Sequence, residues 1–230
     1  MSNATVTPST PAELVEIVRG AAARKEPVYV AGGGTKQHVG PWSADAGTKV
    51  SFAKLAGVIA YEPGDMVITV QAGLRLESLQ RTLAEHGQWL PIDPPFAGAT
   101  IGGIIATAST GARRHGCGTA KDLTLGASLV NASATLTKSG GRVVKNVTGF
   151  DLHRLQWGAM GTLALLVEVS LKVSARPPTR AVFAAAAPDL ASAHRHLLDV
   201  AGSPLRPVAL AAYDGDDATA VRAALPASLP

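Results

Sequence analysis

The stretch from Pro91 to Asp122 constrains the fold more than any other part of this sequence. It holds Pro94-Pro95, Gly98, Gly102-Gly103, Gly111, Gly116 and Gly118, with few bulky side chains. Glycine and proline at this density break long helices and strands. A short helix at about Ile101–Thr107 is the most regular structure the stretch supports. Long irregular segments inside a compact domain are uncommon and are more often functional than idle. The flanking sequence must therefore supply a core rigid enough to hold this loop region. Its composition can do so: 47% of residues are hydrophobic and mean hydropathy is +0.19, which excludes disorder. Aromatic residues make up only 4%, so the core is built from Ala, Val, Leu and Ile.

On the N-terminal side, Thr10-Pro11-Ala12-Glu13 has the form of a capping box with proline at the first helical position. Leu14, Val18, Ala21 and Ala22 follow at helical spacing, so a helix is expected to about Arg24. Val28-Tyr29-Val30-Ala31 reads as a short buried strand that runs into Gly32-Gly33-Gly34-Thr35-Lys36. Strands are expected at Gly57–Tyr61 and Val67–Gln71, joined by Pro63-Gly64-Asp65. Leu76, Leu79 and Leu83 place a helix over Leu76–His86, ended by Gly87. Beyond the loop region, Leu125–Asn131 and Ala134–Thr137 read as strands, Ser139-Gly140-Gly141 as a tight turn and Arg142–Lys145 as the returning strand. Asp151–Trp157 reads as a short helix. Val167, Val169, Leu171 and Val173 alternate with Glu168, Ser170 and Lys172, the pattern of a half-buried strand. After Arg176-Pro177-Pro178 the sequence becomes Ala-rich, with a helix expected from Pro188 to about Val200.

Several function classes lose support at once. A single cysteine excludes a disulfide framework and a cysteine-based zinc site. No apolar run reaches the ~18 residues of a membrane span, and the polar N-terminus lacks the regions of a signal peptide. A cytoplasmic protein is the expectation. The net charge is +4 and the isoelectric point is near 9.4. The basic residues are scattered and do not interleave with aromatic ones as a nucleic-acid stacking platform requires. A mildly basic surface suits a small anionic ligand better.

Three segments can carry chemistry. Consecutive glycines at Gly32, Gly33 and Gly34 let backbone N–H groups converge on an anion, with Thr35 adding a hydroxyl, although a lone glycine triplet is more often an ordinary turn. The spacing matches neither a Walker loop nor a G-x-G-x-x-G fingerprint. The segment Ala99-Thr100-Ile101-Gly102-Gly103, with Ser109-Thr110-Gly111 and Gly116-Cys117-Gly118, suits a flat ligand against backbone and equally a glycine-rich surface loop. Lys145 and Asn146, beside Gly149, could reach a ring carbonyl or a phosphate, with Asp151 capping the next helix. The other titratable residues read as structural: His86 ends a helix, His194 and His196 fall on opposite helix faces, and Asp93 beside Pro94 is a turn residue. His115 and Cys117 have no metal-spaced companions.

Taken in order, Gly-Gly-Gly-Thr, Pro-Pro, Ala-Thr-Ile-Gly-Gly, Gly-x-Gly-x-x-x-Asp and Lys-Asn-Val-Thr-Gly-Phe-Asp-Leu resemble the vanillyl-alcohol oxidase (PCMH-type) FAD-binding family. Within it, the likeness is nearest to the FAD-binding subunits of three-subunit bacterial glycolate oxidases, and it covers about Pro11 to Val173. The resemblance implies an α+β fold in which residues 1–175 form two α/β subdomains, about 1–71 and 72–175, with FAD between them. Residues 176–230 would form a short, incomplete C-terminal cap segment. It implies that Gly32, Gly33, Gly34, Thr35 and Lys36 cradle the diphosphate and that Pro94, Ala99, Thr100, Gly102 and Gly103 line the second wall. Ser109, Gly111 and Gly118 would run beside the flavin or diphosphate, Val143 would lie near the adenine, and Lys145 and Asn146 would add contacts. Covalently flavinylated relatives carry histidine at the position of Thr35, so the FAD is expected to be non-covalent. Ala31 stands where many relatives have arginine.

The resemblance further implies a subunit of a 2-hydroxy-acid (glycolate) oxidase or dehydrogenase, with no catalytic residue assignable on this chain. Its implied partners are a second FAD subunit, an iron–sulfur subunit and a small 2-hydroxy acid, with no nucleic acid. Membrane association would be peripheral, through the complex. The alternative is a non-catalytic FAD-binding or scaffolding module that stabilises a partner flavoprotein.

Overall fold

The computed structural model describes residues 5–39, 47–142 and 150–217. Strand β1 (Thr5–Val6) leads into helix α1 (Pro11–Ala23), whose start is fixed as the sequence indicates. The Thr10 hydroxyl accepts the Glu13 N–H at 3.2 Å, and the Glu13 carboxylate reaches back to the Ser9 N–H at 2.7 Å. Strands β2 (Val28–Ala31) and β3 (Thr48–Ser51) follow. With β1 they form a three-stranded parallel sheet in the order β1-β3-β2. Leu14 and Val18 of α1 join Val50 of β3 and Phe52 in the core.

The second sheet begins with β4 (Val58–Glu62) and β5 (Val67–Gln71), an antiparallel hairpin closed by a 3-10 turn at Pro63–Asp65. Helix α2 (Leu76–Ala84) buries Leu79 and Leu83, and Gly87 follows with φ +64°. After the two-residue strand β6 (Gln88–Trp89) the glycine-rich segment forms three short helices. These are α3 (Ile101–Ala106), α4 (Arg114–Cys117) and α5 (Ala120–Leu123). Strands β7 (Thr124–Asn131), β8 (Leu136–Gly140) and β9 (Ala164–Lys172) complete an antiparallel sheet in the order β4-β5-β9-β7-β8. A 3-10 helix (Leu152–Gln156) lies between β8 and β9. Strand β10 (Ser174–Ala175) pairs with β6, and helix α6 (Leu190–Ala201) lies in the Ala-rich segment. The architecture is the expected α+β one, and both sheets contribute to one continuous core.

Three expectations are corrected. Ser139 and Gly140 do not form a turn: they pair with Ala127 and Gly126 in the β7–β8 ladder. The chain reverses earlier, where Asn131 Oδ1 accepts the Thr135 N–H at 3.0 Å and Ala134 takes φ +55°. The returning strand at Arg142–Lys145 lies almost wholly outside the described residues. Strand β9 is not half-buried, because it is the central strand of its sheet. Its Ser170 is buried and hydrogen-bonds Thr69 at 2.9 Å, while Glu168 accepts from Ser128 at 3.0 Å. The subdivision at about residue 71 runs through the second sheet, since β4 and β5 belong with β9. The change of sheet falls between Ser51 and Val58.

Candidate functional site

A cleft of about 500 Å³ is lined by residues of both sheets and by the loops that leave them. Its first wall is the loop after β2, comprising Gly32, Gly33, Gly34, Thr35 and Lys36. Parallel pairing of β2 with β3 ends at Ala31 and Ser51, so the chain leaves the sheet at Gly32. Among the described residues the N–H groups of Gly33, Gly34 and Thr35 donate to no backbone carbonyl. Three amides without a backbone partner, on a loop that opens on a cavity, are free to donate to an anion, and Lys36 adds a cation to the same wall.

The second wall is Ala99, Thr100, Gly102 and Gly103 at the start of α3, with Ser109 beyond its end. Thr100 caps this helix, its hydroxyl accepting the Gly103 N–H at 3.3 Å. The two walls meet tightly. A Cβ on Gly32 would stand 2.3 Å from Thr100 Oγ1, and one on Gly33 would stand 2.1 Å from the Gly98 carbonyl oxygen. The glycines of the first wall are therefore required by the opposite wall as well as by any ligand. Gly34 differs: it has φ +72° and open space where a side chain would go.

A third wall was not anticipated from the sequence. Gln156, Met160, Thr162, Leu165 and Leu166 come from the 3-10 helix, the following loop and β9. That loop is tied to α3, with Gly158 N–H donating to Ile105 O at 3.0 Å and Met160 N–H to Ala106 O at 2.8 Å. Gly158, Met160 and Gly161 all take positive φ. The Trp157-Gly158-Ala159-Met160-Gly161-Thr162 run carries the glycine signal that could have revealed this turn.

Three expected residues stand away from the cleft lining: Pro94, Gly111 and Gly118. Gly111 packs on Asp93, where a Cβ would meet the Asp93 carbonyl at 1.9 Å, and the Asp93 carboxylate accepts the Arg113 N–H at 3.1 Å. Asp93 is therefore not the expected turn residue: it lies in extended chain and ties that chain to a segment twenty residues on. Gly118 ends α4 with φ +75°. Val143, Lys145 and Asn146 lie outside the described residues. Cys117 is also outside the cleft lining, and burial pushes its thiol above the ordinary range, with Arg113 opposing. No metal-binding group of side chains and no helix long and apolar enough to cross a membrane occurs among the described residues.

The FAD binding domain family matches residues 2–140. The glycolate oxidase subunit GlcE of Escherichia coli (strain K12) is 36% identical over 166 residues, covering 71% of this chain and 47% of that protein. The D-2-hydroxyglutarate dehydrogenase of Xanthomonas citri pv. viticola is 32% identical over 182 residues, 79% of this chain and 39% of the relative. The chain therefore spans less than half the length of these curated relatives. Among solved structures, an alkyldihydroxyacetonephosphate synthase superposes with TM-score 0.65 at 24% identity, over 76% of this chain and 32% of that one. That likeness carries the fold.

Proposed function

This chain belongs to the FAD binding domain family, and we propose that its cleft holds non-covalent FAD as part of an oxidoreductase acting on a 2-hydroxy acid such as glycolate. The observation that carries the reading is the row of amides without a backbone partner at Gly33, Gly34 and Thr35, on a wall that also bears Lys36. The anion such a row fits is the FAD diphosphate. Thr35 stands where, by the family resemblance, covalently flavinylated relatives carry histidine, which supports a dissociable cofactor.

When bound, FAD supplies a two-electron acceptor for oxidation at the hydroxyl-bearing carbon. The chain's own residues do the holding. Gly33, Gly34 and Thr35 donate to phosphate oxygens, and Lys36 balances their charge. Ala99, Thr100, Gly102 and Gly103 form the small-residue face opposite, and Ser109 offers a buried hydroxyl. Residues 1–175 act as the FAD-binding unit and residues 176–230 as a cap segment. The subunit names of the relatives support a multi-subunit enzyme. In that enzyme this chain passes electrons to a flavin or iron–sulfur partner in the cytoplasm.

One observation favours a second reading. Among the described residues, no histidine, arginine or carboxylate lines the cleft. On that reading the chain is a FAD-holding or scaffolding module, and the groups that grip the substrate carboxylate and take its hydroxyl proton come from elsewhere.

The test is a visible spectrum of freshly purified protein, followed by acid precipitation and analysis of the supernatant. A flavin spectrum with free FAD in the supernatant is expected. Colourless protein that takes up no added FAD overturns the proposal, and flavin retained in the pellet overturns non-covalent binding. Anaerobic glycolate or D-lactate then separates the two readings: bleaching of the flavin band supports the first, and an unchanged spectrum the second.

A further inference from the structure

The third wall of the cleft carries a polar side chain that the diphosphate wall leaves unused. Gln156 ends the 3-10 helix, is 5% exposed, and lines the cleft beside Met160, Leu165 and Leu166. The other polar side chains near it are committed to the protein. The Thr107 hydroxyl donates to Gly103 O at 2.8 Å, the Thr162 hydroxyl to Ala159 O at 2.7 Å, and Thr100 caps α3. The Gln156 carboxamide hydrogen-bonds no described residue.

Its backbone, by contrast, is well held. The His153 N–H donates to Ser139 Oγ at 3.1 Å, Gln156 O accepts the Ala159 N–H at 3.2 Å, and the loop beyond is tied to α3 at Gly158 and Met160. Among the described residues no side-chain nitrogen or oxygen is fully buried without a partner, so the unpaired carboxamide reaches the open space of the cleft, fixed on a largely aliphatic wall. Apolar walls with one placed polar group are how pockets orient flat ligands.

We infer that Gln156 is a specificity residue of this cleft, its carboxamide pairing with the hydrogen-bonding edge of a heterocyclic ring of the bound dinucleotide. The inference rests on the FAD reading above. A carboxamide offers an acceptor and a donor side by side, which is how glutamine pairs with the N6/N7 edge of adenine. The alternating carbonyl and N–H groups on the pyrimidine edge of a flavin offer the same chemistry. Leucine at this position fills the space but makes neither bond, and glutamate of equal size supplies no donor when ionised.

The test is calorimetric titration of the flavin-free full chain with FAD, ADP and FMN, for the wild type, Gln156→Leu and Gln156→Glu, with the Tm of each ligand-free protein. Gln156→Leu should weaken FAD binding about tenfold and leave the ligand-free Tm unchanged, because the amide bonds no described residue of the ligand-free protein. Gln156→Glu, which keeps the size of the side chain, should weaken FAD binding as well. A matching loss with ADP identifies the adenine edge, and with FMN the flavin edge; either outcome supports the inference. Wild-type FAD affinity in both variants overturns it. So does a fall in ligand-free Tm with Gln156→Leu, which would mark a structural role, or a loss seen with FAD and with neither fragment. If the wild type itself binds no FAD, the parent reading falls and this inference with it.

Discussion

At the scale of single residues, Gly33 shows how a correct motif can have an incomplete reason. The sequence points to the glycines as space for a ligand, yet the missing Cβ of Gly33 faces the Gly98 carbonyl at 2.1 Å. Gly33→Ala should therefore destabilise even ligand-free protein, by about 1–3 kcal/mol from overpacking, measured by urea unfolding. Gly34→Ala should cost about 1 kcal/mol, from its left-handed backbone alone. Equal losses at the two positions would contradict the tight apposition of the walls. That apposition joins residues over sixty positions apart, which no local pattern encodes. His153 was equally hidden, since nothing in Asp-Leu-His-Arg-Leu marks its ring as buried against Ser139. Burial holds its pKa below the ordinary value, Asp151 opposing and Arg154 assisting. The unfolded chain then binds more protons than the native one below about pH 6.5. Stability is intact above that pH and falls as the solution is acidified toward the folded pKa. Comparing urea midpoints at pH 7.5 and 5.5, the wild type should lose more stability than His153→Gln.

Among the elements, those with a local cause were legible. Helix α1 has its cap, its proline and its apolar spacing within a few residues, and its bounds follow from them. Thr10→Ala should cost about 1 kcal/mol in chemical denaturation, by removing the acceptor for the Glu13 N–H; an unchanged midpoint would contradict that cap. The hairpin at β7–β8 misled because Ser139-Gly140-Gly141 has turn composition, whereas the reversal at Ala132–Thr135 has almost none. Its Ala134, a non-glycine residue at φ +55°, is held there by the Asn131 side chain and the strand register. Strand β9 misled for another reason. Alternation of side chains tells which way they point, and only the sheet order tells whether both directions are covered. The cleft splits the same way: its two glycine-rich walls were named from sequence, while the wall of Gln156 and Met160 is assembled by contacts to α3.

For the whole molecule, ligand and fold are linked, because the cleft draws its walls from both sheets. FAD at about 100 times its dissociation constant should stabilise the chain by about 2.7 kcal/mol, seen as a concentration-dependent rise in Tm. A Tm indifferent to FAD would contradict a cleft formed only in the native state. The sheet order carries a further consequence, for synthesis. Strand β9 sits at the centre of the second sheet yet is translated after the four strands it joins. Until the ribosome has passed Lys172, the β4–β5 and β7–β8 hairpins each expose an unpaired inner edge. Such edges invite other chains to pair with them. The stretch matching the FAD binding domain, residues 2–140, stops before β9 begins. A polypeptide halted at Gly140 should accordingly aggregate on release and recruit chaperones, and one extended through Ala175 should not.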